Sequence, residues 1–91
     1  MEVKNFVMTL VFEESSMDYI HRDIDRFDLY NWAEDQGFSL KVADNTVTVE
    51  GRELPCYSFD IYGRVTLILD GDEWFIGEVP TSINLVLDAD R

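Results

Sequence analysis

Alternation of apolar and polar side chains predicts the first element of the chain. Across residues 3–13, VKNFVMTLVFE, the large side chains of Phe6, Met8, Leu10 and Phe12 share one face. A period of two is that of a β-strand with one face on the core. The opposite face holds mainly β-branched residues, so we expect this strand to lie in the centre of a sheet.

The next segment, DYIHRDIDRFDLYNWAEDQGF (residues 18–38), follows a helical period that breaks near residue 28. The first apolar stripe, with spacings of three and four, consists of Met17, Ile20, Ile24 and Phe27. The stripe restarts on roughly the opposite side of the helix at positions 29, 32 and 33. This change of phase predicts two short helices or one sharply kinked helix.

Three residues in this region are typical of helix ends. Ser16 is a predicted N-cap of the first helix, and Asp28 is a predicted N-cap of the second. Gly37 is well suited to the position that follows the second helix.

From Phe38 onward the pattern predicts only strands. The first hairpin spans residues 38–51 with a two-residue loop, Asp44-Asn45, which pairs Val42 with Val47. Every apolar side chain then lies on one face, so the register is well specified. Phe38 falls opposite Gly51, where its ring can cover the bare glycine.

Two further turns and a final strand complete the predicted order. A three-residue loop at 62–64 places Tyr57, Phe59 and Ile61 on the face of the following apolar residues. A turn at 70–73 places Leu69 opposite Trp74. The alternation in residues 83–88 predicts a last strand, which could form an exposed edge.

The elements define an α+β fold. We expect one long N-terminal strand, a kinked or paired short helix, and then an antiparallel meander of five to six strands packed on the helix. The length of 91 residues suits a single domain over residues 1–91.

The net charge of the chain limits the kinds of molecule that it is expected to bind. Nineteen acidic residues against seven basic ones give a formal net charge of −12. Direct binding to nucleic acid or to an anionic membrane needs a basic surface, so neither is expected. A basic protein is the expected partner.

The cysteine content and the N-terminal residues predict a cytoplasmic protein. A single cysteine, Cys56, excludes an internal disulfide and a four-ligand zinc site built from cysteine and histidine. No basic leader with an apolar run opens the chain, and no stretch of about 18 apolar residues could span a membrane.

The single histidine, His21, is the strongest candidate for a catalytic residue. Asp18 and Asp25 flank His21 at the spacing of one helical turn, which could support acid–base chemistry or a metal. The simpler interpretation is a solvated, salt-bridged helix surface. The acidic turn at 70–73 lacks the spacing of a twelve-residue calcium loop. We therefore expect no enzyme, no cofactor and no metal site.

The acidic residues and their aromatic neighbours form the predicted contact surface. Carboxylates could take the place of phosphates, while aromatic side chains supply anchors that lose their water on binding. The predicted partner-binding residues are Asp18, Tyr19, Asp23, Asp25, Tyr30, Glu34, Asp35, Asp70, Asp72, Glu73 and Trp74.

In its bulk features the chain resembles two groups of inhibitors. It is small, strongly acidic and without a catalytic set, like phage-encoded inhibitors of restriction or CRISPR machinery that present carboxylates in place of phosphates. Acidic immunity proteins and antitoxins that neutralise nuclease toxins share these features. The resemblance implies a protein that blocks a basic nucleic-acid-binding enzyme or complex, as a monomer or homodimer. The remaining alternatives are a structural or dimerising module and a small metal-dependent enzyme around His21.

Overall fold

A computed structural model describes residues 6–52, 56–69 and 71–87 of the chain. Within these ranges two helices and seven strands occur. In chain order they are β1 (Phe6–Val11), α1 (Glu14–Phe27), α2 (Leu29–Asp35), β2 (Phe38–Ala43), β3 (Thr46–Gly51), β4 (Cys56–Phe59), β5 (Val65–Leu69), β6 (Asp72–Phe75) and β7 (Ser82–Leu87). The predicted α+β class, with a strand, then helices, then a strand meander, is confirmed.

The first sheet has the strand order β2-β3-β1-β7, with every pair antiparallel. β1 is central, as its two apolar faces predicted. The predicted C-terminal edge is also confirmed, because β7 pairs only with β1 among the described strands. Whether β7 pairs with a second copy or with a partner strand stays a prediction.

The second sheet has the order β4-β5-β6 and shares one core with the first sheet and the helices. The buried cluster draws side chains from β1, β2, β3, α1, α2, β5 and β6. Phe6, Met8 and Leu10 of β1 are at most 1% exposed. The helices and the second sheet therefore cover one face of the first sheet.

The end of β1 fixes two neighbouring segments. The Phe12 backbone N–H donates to the Asn45 carbonyl, and the Asn45 side-chain amide donates back to the Phe12 carbonyl at 2.9 Å. The Thr81 backbone N–H donates to the Val11 carbonyl at 2.7 Å. These bonds hold the β2–β3 turn and the start of β7 against the same strand.

The predicted register of the first hairpin is confirmed. Val42 pairs with Val47, and Phe38 pairs with Gly51. The rings of Phe38 and Phe6 lie 5.9 Å apart at an angle of 59°, next to the glycine. A Cβ atom added to Gly51 would lie 2.9 Å from Cδ1 of Phe38, so the bare glycine leaves room for this ring pair.

The first helix begins earlier than predicted. Glu13 occupies the N-cap position with an extended backbone and no capping side-chain bond, so the assignment of Ser16 as N-cap was wrong. Starting the helix there places Met17, Ile20 and Ile24 on the core. Phe27, predicted in the same buried stripe, is 60% exposed because the helix ends beside it.

The β4–β5 hairpin has a longer loop than predicted. Phe59 pairs with Val65, so residues 60–64 form the loop, and Ile61 is 90% exposed instead of lying in a strand. The cause is Asp60: its carboxylate accepts hydrogen bonds from the backbone N–H groups of Tyr62 and Arg64, at 2.9 and 3.0 Å. These bonds close the five-residue loop. Alternation alone could not reveal its length, because a register shift of two residues leaves every side chain on the same face of the sheet.

The β5–β6 hairpin is also shifted by two residues. Leu69 pairs with Asp72 and Leu67 pairs with Trp74, whereas the sequence placed Leu69 opposite Trp74. Gly71 adopts a φ of +90°, a conformation that suits a tight two-residue loop. Again both registers bury the same side chains.

One acidic residue of β3 is buried. Glu50 is 7% exposed, and its carboxylate lies 2.9 Å from the ammonium of Lys41 on the neighbouring strand. This ion pair lies on the face of the first sheet opposite the core.

Replacing Gly51 by alanine should destabilise the fold by about 1–3 kcal/mol, the usual cost of overpacking. The new Cβ would lie 2.9 Å from the Phe38 ring. Urea denaturation measures the loss. In a Phe38→Leu background, the same Gly51→Ala change should cost clearly less. Equal costs in both backgrounds would contradict the close-packing explanation.

Asp60 should make stability depend on pH. Burial raises the pKa of its carboxyl, but the Arg64 backbone and side chain and the Tyr62 N–H together lower the pKa below 3.8. A lowered folded-state pKa stabilises the protein above the unfolded value of about 3.9. That stabilisation is lost as the pH falls through the folded-state pKa.

Asp60→Asn should therefore be less stable than the wild-type chain at pH 7, and the difference should shrink as the pH falls below about 4. Urea denaturation from pH 7 to pH 3 measures it. Asp44→Asn removes the same charge from another turn and serves as the control. A stability difference that is unchanged over this range would show that the Asp60 charge is not the cause.

Candidate functional site

Three exposed carboxylates form a row along α1. Glu14, Asp18 and Asp25 fall within an arc of about 40° at 100° per residue, and His21 lies in the same stripe. All four side chains are exposed. We call Glu14, Asp18 and Asp25 the acidic row.

The spacing of the acidic row is compatible with a nucleic-acid backbone. With a rise of about 1.5 Å per residue, the three positions are about 6 and 10 Å apart along the helix axis. A strand of duplex DNA advances about 3.4 Å per phosphate, so these gaps correspond to about two and three nucleotide steps.

The basic residues of α1 form no ion pair with the acidic row among the described residues. The guanidinium groups of Arg22 and Arg26 lie over the rings of Tyr19 and Phe27, each 5.4 Å from the ring centre. Ion pairs between described residues join Lys41 to Glu50 and Arg64 to Asp60. The predicted helix surface is thus solvated, as expected, but the predicted ion pairs with Arg22 and Arg26 are absent among the described residues.

The second helix carries its acids where they do not stabilise it. Glu34 and Asp35 are exposed in the last turn of α2, which has no basic residue. A negative charge at a helix C-terminus opposes the helix dipole at a cost of about 0.3–1 kcal/mol. Tyr30, one turn earlier, is 46% exposed and continues this surface. The placement favours a role for these acids outside helix stability.

A groove lies between the helices and the second sheet. Its volume is about 310 Å³, and it is lined by Asp23, Phe27, Leu29, Trp32, Glu73, Trp74 and Phe75. On α1, Asp23 points about 180° away from Glu14, so the groove and the acidic row lie on different sides of that helix.

The structure thus does not bring all the predicted contact residues together on one surface. Asp18 and Asp25 belong to the acidic row, while Asp23 and Glu73 both line the groove although they are far apart in sequence. The Asp72 carboxylate accepts a hydrogen bond from the Gln36 side chain at 3.0 Å, which ties the end of α2 to β6. Asp70 lies outside the described residues.

The prediction for Trp74 was wrong. It was predicted to be an exposed anchor, but it is only 5% exposed because its position in β6 faces the shared core. It contributes to the site only as part of the groove lining.

Two exposed aromatic residues of the groove were missed by the sequence analysis. Phe27 and Phe75 are 60% and 49% exposed. The sequence holds a signal for Phe75, since alternation with the buried Trp74 directs it outward. For Phe27 the signal is the phase break itself, because the last residue before a break need not follow the stripe.

The predicted chemistry around His21 gains no support from the geometry. Within residues 6–52, 56–69 and 71–87, no hydrogen bond or ion pair joins His21 to Asp18 or Asp25. The same ranges contain no cluster of three or more potential metal ligands. None of the described helices is long and apolar enough to cross a membrane.

The junction between the helices orients both surfaces. Asp28 ends α1 and begins α2 with a left-handed backbone, φ 51° and ψ 50°, and its N–H donates to the Ile24 carbonyl. Its side chain caps no backbone group but accepts a hydrogen bond from Asn31 at 2.7 Å. The predicted position of the cap is therefore right, whereas the predicted side-chain bond is absent.

Comparison with protein-family models, with curated proteins and with solved structures found no match to this chain.

Replacing Asp28 by valine should destabilise the protein by about 1–2 kcal/mol, since a β-branched residue tolerates the left-handed conformation poorly. Asp28→Gly should be far milder. Asp25→Val, at an exposed right-handed position of α1, is the control and should cost only a few tenths of a kcal/mol. Urea denaturation compares the three. Equal losses for the two valine variants would refute the role of the junction.

Proposed function

We propose that the chain is a small acidic inhibitor that binds a basic nucleic-acid-binding enzyme or complex. Its carboxylates would occupy positions that phosphates take in the nucleic acid, and so block the path sterically and electrostatically. The protein itself performs no catalysis in this proposal.

The observation that carries the proposal is an exposed acidic surface on the helices whose carboxylates form no ion pair with Arg22 or Arg26 among the described residues. The chain holds seven basic residues for nineteen acids. Of its five arginines, Arg22 and Arg26 lie over rings instead of pairing with the row. An excess of one charge destabilises a compact chain through self-repulsion, so the surface has a cost that a basic partner would remove.

Charge of this size also favours fast association. A net charge of −12 on 91 residues attracts a basic surface over the distance that salt screening allows. Steering of this kind raises the association rate and leaves close packing to decide affinity. Tyr19 and Tyr30, which are 56% and 46% exposed, border the acids and could pack against the partner.

Within this class, the leading candidate target is a nucleic-acid-targeting defence complex of a phage host, such as a CRISPR or restriction system. An immunity protein or antitoxin that neutralises a nuclease toxin would use the same surface, and the identity of the partner separates the two. Either inhibitor would act in the cytoplasm.

Neutralising two residues of the acidic row should weaken partner capture by about tenfold, because each removes a charge pair at the interface. The test compares Asp18→Asn/Asp25→Asn with Asp44→Asn/Glu78→Gln, which removes the same charge from the hairpin and loop regions. Proteins bound from a host lysate are quantified at several salt concentrations.

We expect a basic nucleic-acid-binding protein to bind the wild-type chain and the control variant, with binding that falls steeply as salt rises. Recovery of no such protein would overturn the proposal. Equal capture by the two double variants would show that the acidic row is not the contact surface.

A further inference from the structure

The groove between the helices and β6 combines features that the acidic row lacks. It is concave, with a volume of about 310 Å³, at the lower end of the range for ligand pockets. Its lining is largely aromatic or aliphatic, with two carboxylates, Asp23 and Glu73. Polar groups placed in an apolar pocket orient a ligand and select its charge.

The two carboxylates of the groove select a cation. Neither Asp23 nor Glu73 forms an ion pair with a cation of the described residues, whereas Lys41 and Arg64 pair elsewhere. Asp23 is partly buried at the edge of α1, so its charge is less screened than that of a fully exposed acid. An anionic ligand would be repelled from this groove, and an uncharged one would leave the carboxylates unpaired.

The aromatic lining favours a planar cation. The chain already places guanidinium groups over the two exposed rings, Arg26 over Phe27 at 5.4 Å and Arg64 over Phe75 at 5.3 Å. Such stacking is stronger for the flat, weakly hydrated guanidinium than for the compact ammonium of lysine. A guanidinium can also bind carboxylates through several donors at once.

Trp74 makes occupancy of the groove observable. Its ring lines the groove, whereas its indole N–H is buried out of contact with solvent. A ligand in the groove would therefore contact the ring without reaching the N–H, and the Trp74 signal would report that contact.

We propose that the groove binds an arginine side chain of the partner, presented on a peptide segment. The guanidinium binds the carboxylates of Asp23 and Glu73 and stacks against the exposed rings of Phe27 and Phe75, beside the ring of Trp74. This inference deepens the proposed function and rests on it for the basic character of the partner. It assigns the groove as the desolvated anchor point and the acidic row as the steering surface.

The test is an NMR titration of the whole chain with a short blocked peptide that contains one arginine among glycines and serines. The chain has two tryptophans, so the Trp74 indole signal can be assigned with a Trp32→Phe variant. The matched probe contains lysine in place of arginine. The binding variant is Asp23→Asn/Glu73→Gln, and Asp44→Asn/Glu78→Gln is the control with equal charge.

We expect the arginine peptide to shift the Trp74 indole signal in a saturable way and to bind more tightly than the lysine peptide. The groove variant should bind about tenfold more weakly, whereas the control should change by about twofold or less. An unmoved Trp74 signal, equal binding of the two peptides, or equal loss in both variants would overturn the inference.

These outcomes are separate from those of partner capture. Arginine binding that survives in a chain that captures no basic protein supports the groove and refutes the inhibitor proposal. Loss of capture on changing the acidic row, with no arginine binding in the groove, refutes the groove and supports the inhibitor proposal.

Discussion

The fold depends on burial of one face of β1. Phe6, Met8 and Leu10 are at most 1% exposed, and the strand pairs on both sides, with β3 and with β7. Removing these side chains from water is the largest favourable contribution available to a domain of this size. The end of the same strand bonds to the β2–β3 turn and to the segment before β7. Both helices and the second sheet complete the shared core around it, so the positions of the acidic row and the groove follow from this strand.

Charge and stability act against each other on the helical surface. Arg22 and Arg26 lie over rings, and Glu34 and Asp35 occupy the unfavourable end of α2. A sequence optimised only for stability would pair these arginines with nearby acids and place basic residues in the last turn. The observed arrangement keeps a carboxylate-rich surface on one side of α1 and an aromatic groove on the other. In the proposed function, the carboxylate-rich surface would attract a basic partner over a long range, and the groove would pack against it.

The helices and strands and their buried faces could be predicted from the sequence. The registers of the later hairpins and the contacts between residues far apart in sequence could not. Alternation located β1 and its buried face, and the phase break at Asp28 located the helix junction. The two later hairpins were misplaced by two residues because such a shift leaves every side chain on the same face. The loop bonds of Asp60 and the tight turn at Gly71 decide the register, and neither is visible as periodicity. The groove could not be predicted, because Asp23 and Glu73 are brought together only by packing of β6 beside the helices.

The measurement that tests the central claim most directly is competition on the captured partner. The affinity of the partner for its nucleic acid is measured at increasing concentrations of the chain. Presentation of carboxylates in place of phosphates predicts that the apparent Kd for nucleic acid rises in proportion to the concentration of the chain, with no complex that contains all three molecules. A stable ternary complex in which nucleic acid binds with unchanged affinity would contradict the account.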